Sequence, residues 1–422
     1  MAGLRLALLS RRFWPGMGSA ETVSAQLACG LADHDCKVNV VTARRFVYWP
    51  VRIDFHGFPV FRVGPTPDGF WKRRQFVGGI DRWLKQHMDA IDLVFVLGLQ
   101  EEAAAAVRAV DGRRPVILAP LRSGRYGDCC WQVAQASRRA IKTACLHADA
   151  FLAYSPAVRG ELEAAGYPRD RIHDCCFGIG PVESIEGEVH SAKTQSLARN
   201  DLADSSGVLF LPAKAKLVVC TTRTTADSGW QTLLEAWPMV LQANTNAKLW
   251  FVGEPSNRGA IMARINELKL EGRVQIVGAM DSVEAVLAAA DLLVAPSPHG
   301  SHVAILEAMA AGLPTVAADT TVNRWLLDDK ASQGTAGTSL DLRPQASDLR
   351  PPTGPAGLLV SPGEAQPMAD AIKAILNSPE LAGDLGRMAW NRASRNFSLG
   401  KMLDDHLTLF ESLHASKTGQ LT

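Results

Sequence analysis

Two patterns of hydrophobic positions alternate along this chain. The first is a short, nearly uninterrupted apolar run, which is typical of a strand buried on both faces of a parallel sheet. The second is a longer segment with apolar residues at helical spacing. In the first half of the chain the apolar runs predict strands over residues 4–10, 37–42, 59–63, 92–97, 115–119 and 148–155. Helices are predicted over residues 22–32, 70–88 and 156–166.

The same alternation returns in the second half of the chain. Apolar runs predict strands over residues 217–220, 273–278, 290–295, 315–318 and 358–363, and a strand followed by a turn over residues 247–255. Helices are predicted over residues 283–290, 303–311, 368–376, 380–396 and 401–414. Because strands and helices alternate in two series, we predict an α/β protein with two doubly wound, Rossmann-like domains.

Composition and charge argue against several classes of function. The chain has 422 residues, of which 47% are hydrophobic and 21% charged, as in ordinary globular proteins. Lys and Arg number 44 against 43 Asp and Glu, so a nucleic-acid partner is not expected. No apolar run approaches the roughly 18 residues of a membrane span. The apolar start of the chain is followed by Arg11 and Arg12, so we interpret it as a first strand and not as a signal peptide.

The eight cysteines do not suggest a metal centre. None of them has metal-ligand spacing, and we expect free, buried thiols in a reducing, cytoplasmic compartment. His299 and His302 form the one histidine pair considered as metal ligands, and no Cys or carboxylate converges on them in sequence. We therefore predict no metal and no cofactor.

The most informative stretch is residues 295–314. An apolar strand ends at Pro296, a loop opens at Gly300, and a helix without breakers then runs to Gly312. A strand, a Gly-containing loop and a helix N-terminus together form an anion site, because free backbone N–H groups and the helix dipole point at the ligand. Glu307 lies about one turn inside this apolar helix, where it either faces solvent or binds hydroxyl groups.

This stretch resembles the signature of the retaining GT-B glycosyltransferases of group 1 and family 4. The matching positions are Pro296-Ser297, Gly300, Leu306-Glu307-Ala308-Met309-Ala310, Gly312 and Pro314. His299 stands where the family has its first Glu, and His302 stands where it has its second Gly. The resemblance implies that Glu307 holds the nucleotide ribose and that His299 contacts the transferred sugar.

Further loops carry parts of the same resemblance. Arg223 and Gly229 match the family's diphosphate-binding loop, but Ser228 replaces its Lys, which removes a cation from the site. Gly18 and Ser19 take the place of a Gly-Gly pair, which faces the cleft in the first domain of the family. The resemblance implies a donor-binding set of Ser228, Gly253, Glu254, Gly300, Ser301, His302, Val303 and Glu307. It implies a catalytic set of Arg122, Arg223 and His299.

Two basic and aromatic clusters leave alternatives open. Residues 44–49 and 71–74 could form an acceptor site or a patch that contacts a phospholipid surface, or they could be solvent-exposed faces, which is the interpretation we favour. Arg122 follows a predicted strand end, where doubly wound folds bind ligands, and it could supply positive charge there.

Together these features predict a GT-B fold whose two domains face a cleft. The predicted parts are an acceptor domain over residues 1–181, a linker over 182–215, a donor domain over 216–397 and a helix over 398–422 that crosses back to the first domain. We predict metal-independent, retaining transfer of a sugar from a nucleotide-sugar donor to an acceptor, in polysaccharide or glycolipid biosynthesis. The expected location is the cytoplasm, with peripheral contact at the inner membrane face as a further expectation.

Two other functions fit the changed motif. The losses at Ser228, His299 and His302 could instead mark a GT-B protein that binds a nucleotide, a glycan or a partner enzyme without transfer. A sugar-nucleotide epimerase with the same fold is the third hypothesis.

Overall fold

The computed structural model describes residues 3–16, 18–180, 211, 212, 214–221, 225, 227–253, 256–278, 283–299, 302–328 and 355–419. Contacts divide the chain into two compact units. Unit 1 comprises the residues up to Gly178 together with those from Leu399 onward, and unit 2 comprises Ile179–Ser398. The predicted linker over residues 182–215 lies almost wholly outside the described residues.

Unit 1 is built on a sheet of eight strands within the described residues, in the order β3-β4-β2-β1-β5-β6-β7-β8. Its strands are β1 (Arg5–Ser10), β2 (Lys37–Arg44), β3 (Arg52–Phe55), β4 (Phe58–Pro65), β5 (Leu93–Leu97), β6 (Val116–Ala119), β7 (Ala150–Ala153) and β8 (Ile172–Asp174). Every neighbouring pair is parallel except the β3–β4 hairpin. The carboxyl ends of seven of these strands therefore share one edge of the sheet.

Most helices of unit 1 connect successive parallel strands, since parallel strands need a crossover connection. They are α1 (Ser19–Asp33), α2 (Phe70–His87), α3 (Glu101–Val110), α4 (Asp128–Val133), α5 (Arg139–Cys145), α6 (Pro156–Ala164) and, from the end of the chain, α14 (Leu399–Gly419). The core forms because the central strands are apolar on both faces. All five residues of β5, for example, are buried.

Unit 2 has a sheet of six strands within the described part of the chain, all parallel, in the order β11-β10-β9-β12-β13-β14. Its strands are β9 (Lys216–Cys220), β10 (Ala247–Val252), β11 (Val274–Gly278), β12 (Leu292–Ala295), β13 (Thr315–Ala318) and β14 (Leu358–Val360). Its helices are α7 (Trp230–Ala243), α8 (Arg258–Glu267), α9 (Val283–Ala289), α10 (His302–Ala310), α11 (Thr321–Leu327), α12 (Ala365–Asn377) and α13 (Pro379–Asn396). The predicted fold class, two doubly wound α/β units, is confirmed.

Helix α10 and the turn that follows it are closely packed in unit 2. A Cβ placed on Gly386 of α13 would lie 2.2 Å from the Gly312 carbonyl oxygen, so the two backbones are in direct contact there. Seven of the nine α10 residues are buried, which leaves only His302 and Glu307 partly exposed. The helix is therefore packed against its neighbours over most of its surface, and His302 and Glu307 are its only partly accessible residues.

Candidate functional site

The candidate donor-site residues of unit 2 follow three adjacent strands. Ser228 follows β9, Gly253 follows β10 and His299 follows β12, and these strands lie side by side in the order β10-β9-β12. Because parallel strands end at the same edge, these loops converge there. Helix α10 begins at this edge as well, directly after the loop that follows β12.

Gly229 brings two of these loops into contact. It adopts a left-handed conformation with φ 78°, and a Cβ at this position would lie 2.2 Å from the Pro296 carbonyl oxygen. Only glycine fits both the conformation and the space. The Ser228 loop and the Pro296 loop therefore pack backbone against backbone.

Ser228 does not replace the lost cation in this arrangement. The residue is 5% exposed, and its hydroxyl donates to the Thr225 carbonyl oxygen at 3.0 Å. The hydroxyl proton is thus used within the loop. Positive potential at this point comes from the N-terminus of α7, where no side chain of the described residues caps the helix at Gly229.

Two buried polar groups lie beside this helix start. The Thr221 hydroxyl, directly after β9, and the Trp230 indole N–H, in the first turn of α7, are both buried. Neither group has a hydrogen-bond partner among the residues that the structure describes. At a strand end, such a group can take its hydrogen-bond partner from a ligand or from water.

Glu307 is partly buried on α10, and its environment disfavours charge. Burial, together with the negative charge of Glu284, raises the pKa of the Glu307 carboxyl to about 8. On the same helix, burial lowers the pKa of His302 to about 4, so this imidazole is neutral at pH 7. Val303, between them, is 8% exposed. The helix therefore presents neutral hydrogen-bonding groups and no fixed positive side chain.

The loop between β12 and α10 is partly described. The backbone N–H of His299 donates to the Ser297 hydroxyl at 3.3 Å, and the His299 ring is partly exposed. At the neighbouring strand end, Gly253 has φ 115° and donates its N–H to the Gly278 carbonyl oxygen at 2.6 Å. Gly300, Ser301, Glu254 and Arg223 lie outside the described residues.

In unit 1, the remaining predicted residues lie at the carboxyl edge of the eight-stranded sheet. Gly18 follows β1, has φ 149° and precedes α1, which begins at Ser19. Arg122 is exposed in the loop after β6, and its charge acts on the buried Asp128. Burial raises the pKa of Asp128, although hydrogen bonds from Gln100 and Leu99 oppose this shift.

An ionic cluster beside these residues is absent from the sequence-based predictions. The Arg11 guanidinium lies 2.5 Å from both Glu101 and Glu102, and Arg73 pairs with Glu101 at 2.8 Å. Burial raises the pKa of Glu102, and the Arg11 charge opposes this rise. The signal in the sequence that could have indicated this cluster is the acidic pair Glu101-Glu102, which begins four residues after the end of the apolar β5 run.

The described residues contain no group of three or more His, Cys, Asp or Glu side chains that could hold a metal ion. Within the same residues, no helix has the length and apolar character needed to cross a membrane. The eight cysteines all lie in the described part of the chain, where none of them forms a disulfide and five are buried.

Comparison with known proteins matches both units to one family. The model for "Glycosyl transferase 4-like domain" matches residues 18–174, and the model for "Glycosyl transferases group 1" matches residues 215–378. Together the two matches span about three quarters of the chain. The chain therefore belongs to the group 1 glycosyltransferases with a family 4-like first domain.

The curated relatives that match this chain share only about a quarter of its residues over about half of its length. The lipopolysaccharide core biosynthesis glycosyltransferase LpsE of Rhizobium meliloti is 27% identical over 207 residues, which are 48% of this chain and 52% of LpsE. The chain thus spans about half the length of the curated relatives it matches. Sucrose-phosphate synthase from Thermosynechococcus elongatus has a TM-score of 0.75 at 20% identity, over 98% of this chain and 100% of that one.

A second solved structure carries ligands. Anabaena HepE, in complex with UDP and glucose, has a TM-score of 0.72 at 19% identity, over 97% of this chain and 100% of HepE. These structural likenesses establish the fold.

Proposed function

We propose that this protein transfers a sugar from a nucleoside diphosphate donor to an acceptor hydroxyl, with retention at the anomeric carbon and without a metal ion. The observation that carries this proposal is Glu307, a carboxyl with a raised pKa on a helix that starts at the ligand-binding edge of unit 2. A rigid, partly buried carboxyl at such an edge suits the two hydroxyls of a ribose.

The electrostatics of unit 2 support a diphosphate beside this residue. The uncapped N-terminus of α7 and the start of α10 both lie after strand ends at one edge, and helix N-termini stabilise phosphate. The Thr221 hydroxyl and the Trp230 N–H, for which the described residues supply no hydrogen-bond partner, could donate to the same anion. Arg223 would add a cation and would offset charge as the anomeric bond breaks. His299 would contact the donor sugar.

We also propose a role in the reaction for Gly18, Ser19 and Arg122, which lie at the carboxyl edge of the sheet of unit 1. The Arg11 cluster holds the β1 and β5 loops in place next to them. The proposed acceptor is a molecule with a free hydroxyl group.

The test is a thermal-shift titration with nucleoside diphosphates, beginning with UDP, which is bound in the structural neighbour HepE. A ligand at a hundred times its Kd should add about 2.7 kcal/mol of stability. Glu307→Ala is expected to weaken binding at least about tenfold, since a pair of hydrogen bonds to the ribose is lost. Unchanged affinity in this variant would remove Glu307 from the site.

Hydrolysis of the matching sugar nucleotide then measures catalysis. Activity that survives EDTA would support metal independence, and the anomeric configuration of the first-formed product would test retention. A matched control is Glu267→Ala on α8, a residue paired with Arg264 away from this edge.

The alternative function, binding without transfer, is favoured by Ser228. Its hydroxyl proton is committed to Thr225, so this position offers neither a charge nor a donor to the leaving group. Nucleotide binding with no hydrolysis and no transfer to a panel of glycan and lipid-linked acceptors would support this alternative. An epimerase would instead change the sugar nucleotide when no acceptor is present.

A further inference from the structure

The exposed hydrophobic side chains of this protein are concentrated in one region. Ten large hydrophobic residues are exposed among those that the structure describes, and seven of them fall between residues 14 and 71. These seven are Trp14, Phe46, Val47, Tyr48, Val51, Phe70 and Trp71. Val47, Tyr48 and Trp71 are 86%, 78% and 73% exposed, which is unusual for residues of this type.

The fold of unit 1 gathers these residues at one edge. Strands β2 and β4 are parallel neighbours, with Arg44 paired to Pro65 at their carboxyl ends. The loop with Phe46, Val47 and Tyr48 leaves β2 at this edge, and α2 begins at Phe70 shortly after β4 ends. The two sets of exposed side chains therefore emerge from adjacent strand ends.

A buried arginine fixes the backbone of this region. Arg62, which is 5% exposed, donates to the carbonyl oxygens of Pro50 at 2.9 Å and of Trp14 at 3.0 Å. Its guanidinium also lies 5.2 Å from the centre of the Trp49 ring. Arg62 thus holds the loop over residues 45–51 through its backbone, while the side chains of Val47 and Tyr48 are exposed to solvent.

The segment over residues 44–74, which contains most of these side chains, has an excess of positive charge. Residues 44–74 contain seven Lys and Arg against two Asp and no Glu, whereas the whole chain has 44 against 43. The remainder of the chain is therefore slightly acidic. Arg45, Arg52, Lys72 and Arg74 are exposed beside the apolar side chains, and Arg73 is the one that pairs with Glu101.

We propose that this basic-aromatic surface, residues 44–52 and 70–74 together with Trp14, binds an anionic lipid bilayer. Aromatic and aliphatic side chains insert at the boundary between headgroups and acyl chains, while Lys and Arg pair with lipid phosphates. Charge complementarity selects this partner, because an excess of cations around an apolar patch matches a negatively charged membrane face. The proposal is independent of nucleotide binding by unit 2.

The experiment is co-sedimentation of the full chain with vesicles, in the absence of nucleotide. Vesicles of phosphatidylcholine alone are compared with vesicles that contain about one third phosphatidylglycerol, each at low and high salt. We expect binding to the anionic vesicles, with a marked loss when salt rises from about 0.05 to 0.5 M because screening shortens the reach of the charges. Absence of binding to anionic vesicles at low salt overturns the proposal.

Three variants locate the contact. Tyr48→Ser with Trp71→Ser, and separately Lys72→Glu with Arg74→Glu, should each reduce the partition coefficient by about tenfold or more. Met262→Ser in unit 2, which removes another exposed hydrophobic residue, should leave it unchanged. Equal binding by all variants overturns the assignment, as would equal loss in all of them.

Nucleotide affinity is measured on the same preparations by thermal shift. If UDP binds and vesicles do not, the membrane proposal fails alone. If vesicles bind and no nucleotide does, the proposed function fails alone.

Discussion

At the scale of the residue, the raised pKa of Glu307 predicts a specific pH dependence of stability. Its pKa of about 8 in the folded protein lies above the unfolded value of 4.5. Between these values the unfolded chain has lost the proton that the folded protein keeps, so this group lowers the free energy of unfolding as pH rises through the window. Glu307→Gln does not titrate and should be more stable than the wild type by about 1–3 kcal/mol at pH 7 to 8.

Urea denaturation of both proteins at pH 5 and pH 8 measures this effect. The difference between the two proteins isolates Glu307, because His302 titrates equally in each. His302 has a lowered pKa, so its own contribution changes in the opposite direction, rising as pH increases from about 4 to the unfolded value of 6.5. A stability difference that does not grow between pH 5 and pH 8 would contradict the assigned environment of Glu307.

Gly229 gives a second prediction at this scale. Its φ is 78°, and a Cβ added there would lie 2.2 Å from the Pro296 carbonyl oxygen, so Gly229→Ala must displace one of two loops. We expect a loss of about 2–4 kcal/mol in the free energy of unfolding, together with weaker nucleotide binding. The measurements are urea denaturation and the UDP titration.

Gly272→Ala is the matched control for this change. Gly272 also has a positive φ, 71°, in unit 2, but a Cβ there meets nothing within 4 Å. The Gly272→Ala variant should lose only about 1 kcal/mol of the free energy of unfolding, which is the cost of the positive φ for alanine. Its nucleotide affinity should not change. If the two variants behaved alike, close packing of the loops would not be the reason for glycine at position 229.

At the scale of the element, helix α14 is attached to unit 1 through a buried hydrogen-bonded histidine. His406 Nδ1 lies 2.6 Å from the Met402 carbonyl oxygen, which can only accept, so Nδ1 carries the proton. His406 Nε2 therefore accepts from the Tyr154 hydroxyl at 2.7 Å. Burial lowers the pKa of His406 to about 4, which keeps the ring neutral at pH 7.

Tyr154→Phe removes the donor and leaves the buried Nε2 acceptor unsatisfied. We expect a loss of about 1–3 kcal/mol in the free energy of unfolding, measured by urea denaturation at pH 7. Tyr48→Phe, at a tyrosine that is 78% exposed, is the control and should change stability by less than about 0.5 kcal/mol. A cost for Tyr154→Phe as small as that of the control would show that the hydrogen bond contributes little.

The elements differ in how well the sequence predicts them, for physical reasons. Strands such as β5 and β12 are predictable because burial on both faces demands an apolar run. Strand β3 is missed because it lies at the sheet edge, where exposed Arg52 and Asp54 alternate with partly buried residues. Its turn, with positive φ at His56 and Gly57, is the local signal that could identify the hairpin.

The features of the candidate site also differ in how well the sequence predicts them. The position of Glu307 on a helix after a strand follows from residues 295–314, since the motif is contiguous in sequence. Its raised pKa does not, because that depends on burial and on Glu284 in another helix. The Arg11 cluster likewise joins residues about 90 positions apart, and only the parallel pairing of β1 with β5 brings them together.

At the scale of the whole molecule, unit 1 is completed by the end of the chain. Helix α14 buries Met402, Leu403, His406, Leu409 and Phe410 against this unit. The Leu403 side chain fits against Gly30 of α1, where a Cβ would lie 2.6 Å away, and Phe410 packs on Phe95 of β5 with ring centres 5.3 Å apart. The last helix in sequence is therefore part of the first core.

Removal of residues 399–422 should consequently prevent unit 1 from folding. The four buried apolar side chains, at about 2 kcal/mol each, amount to roughly 8 kcal/mol, which is comparable with the whole stability of an ordinary domain. Deletion of residues 415–422 alone, beyond the last buried residue Phe410, is the control and should cost little, chiefly the ion pair of Lys417 with Asp149. Hydrogen exchange should show loss of protection in β1, β5 and α1 for the long deletion, and retained protection in β9 to β13. Protected amides in β5 of the shortened protein would mean that residues 3–178 form a stable core without α14, and the close packing at Gly30 and Phe95 would then be dispensable.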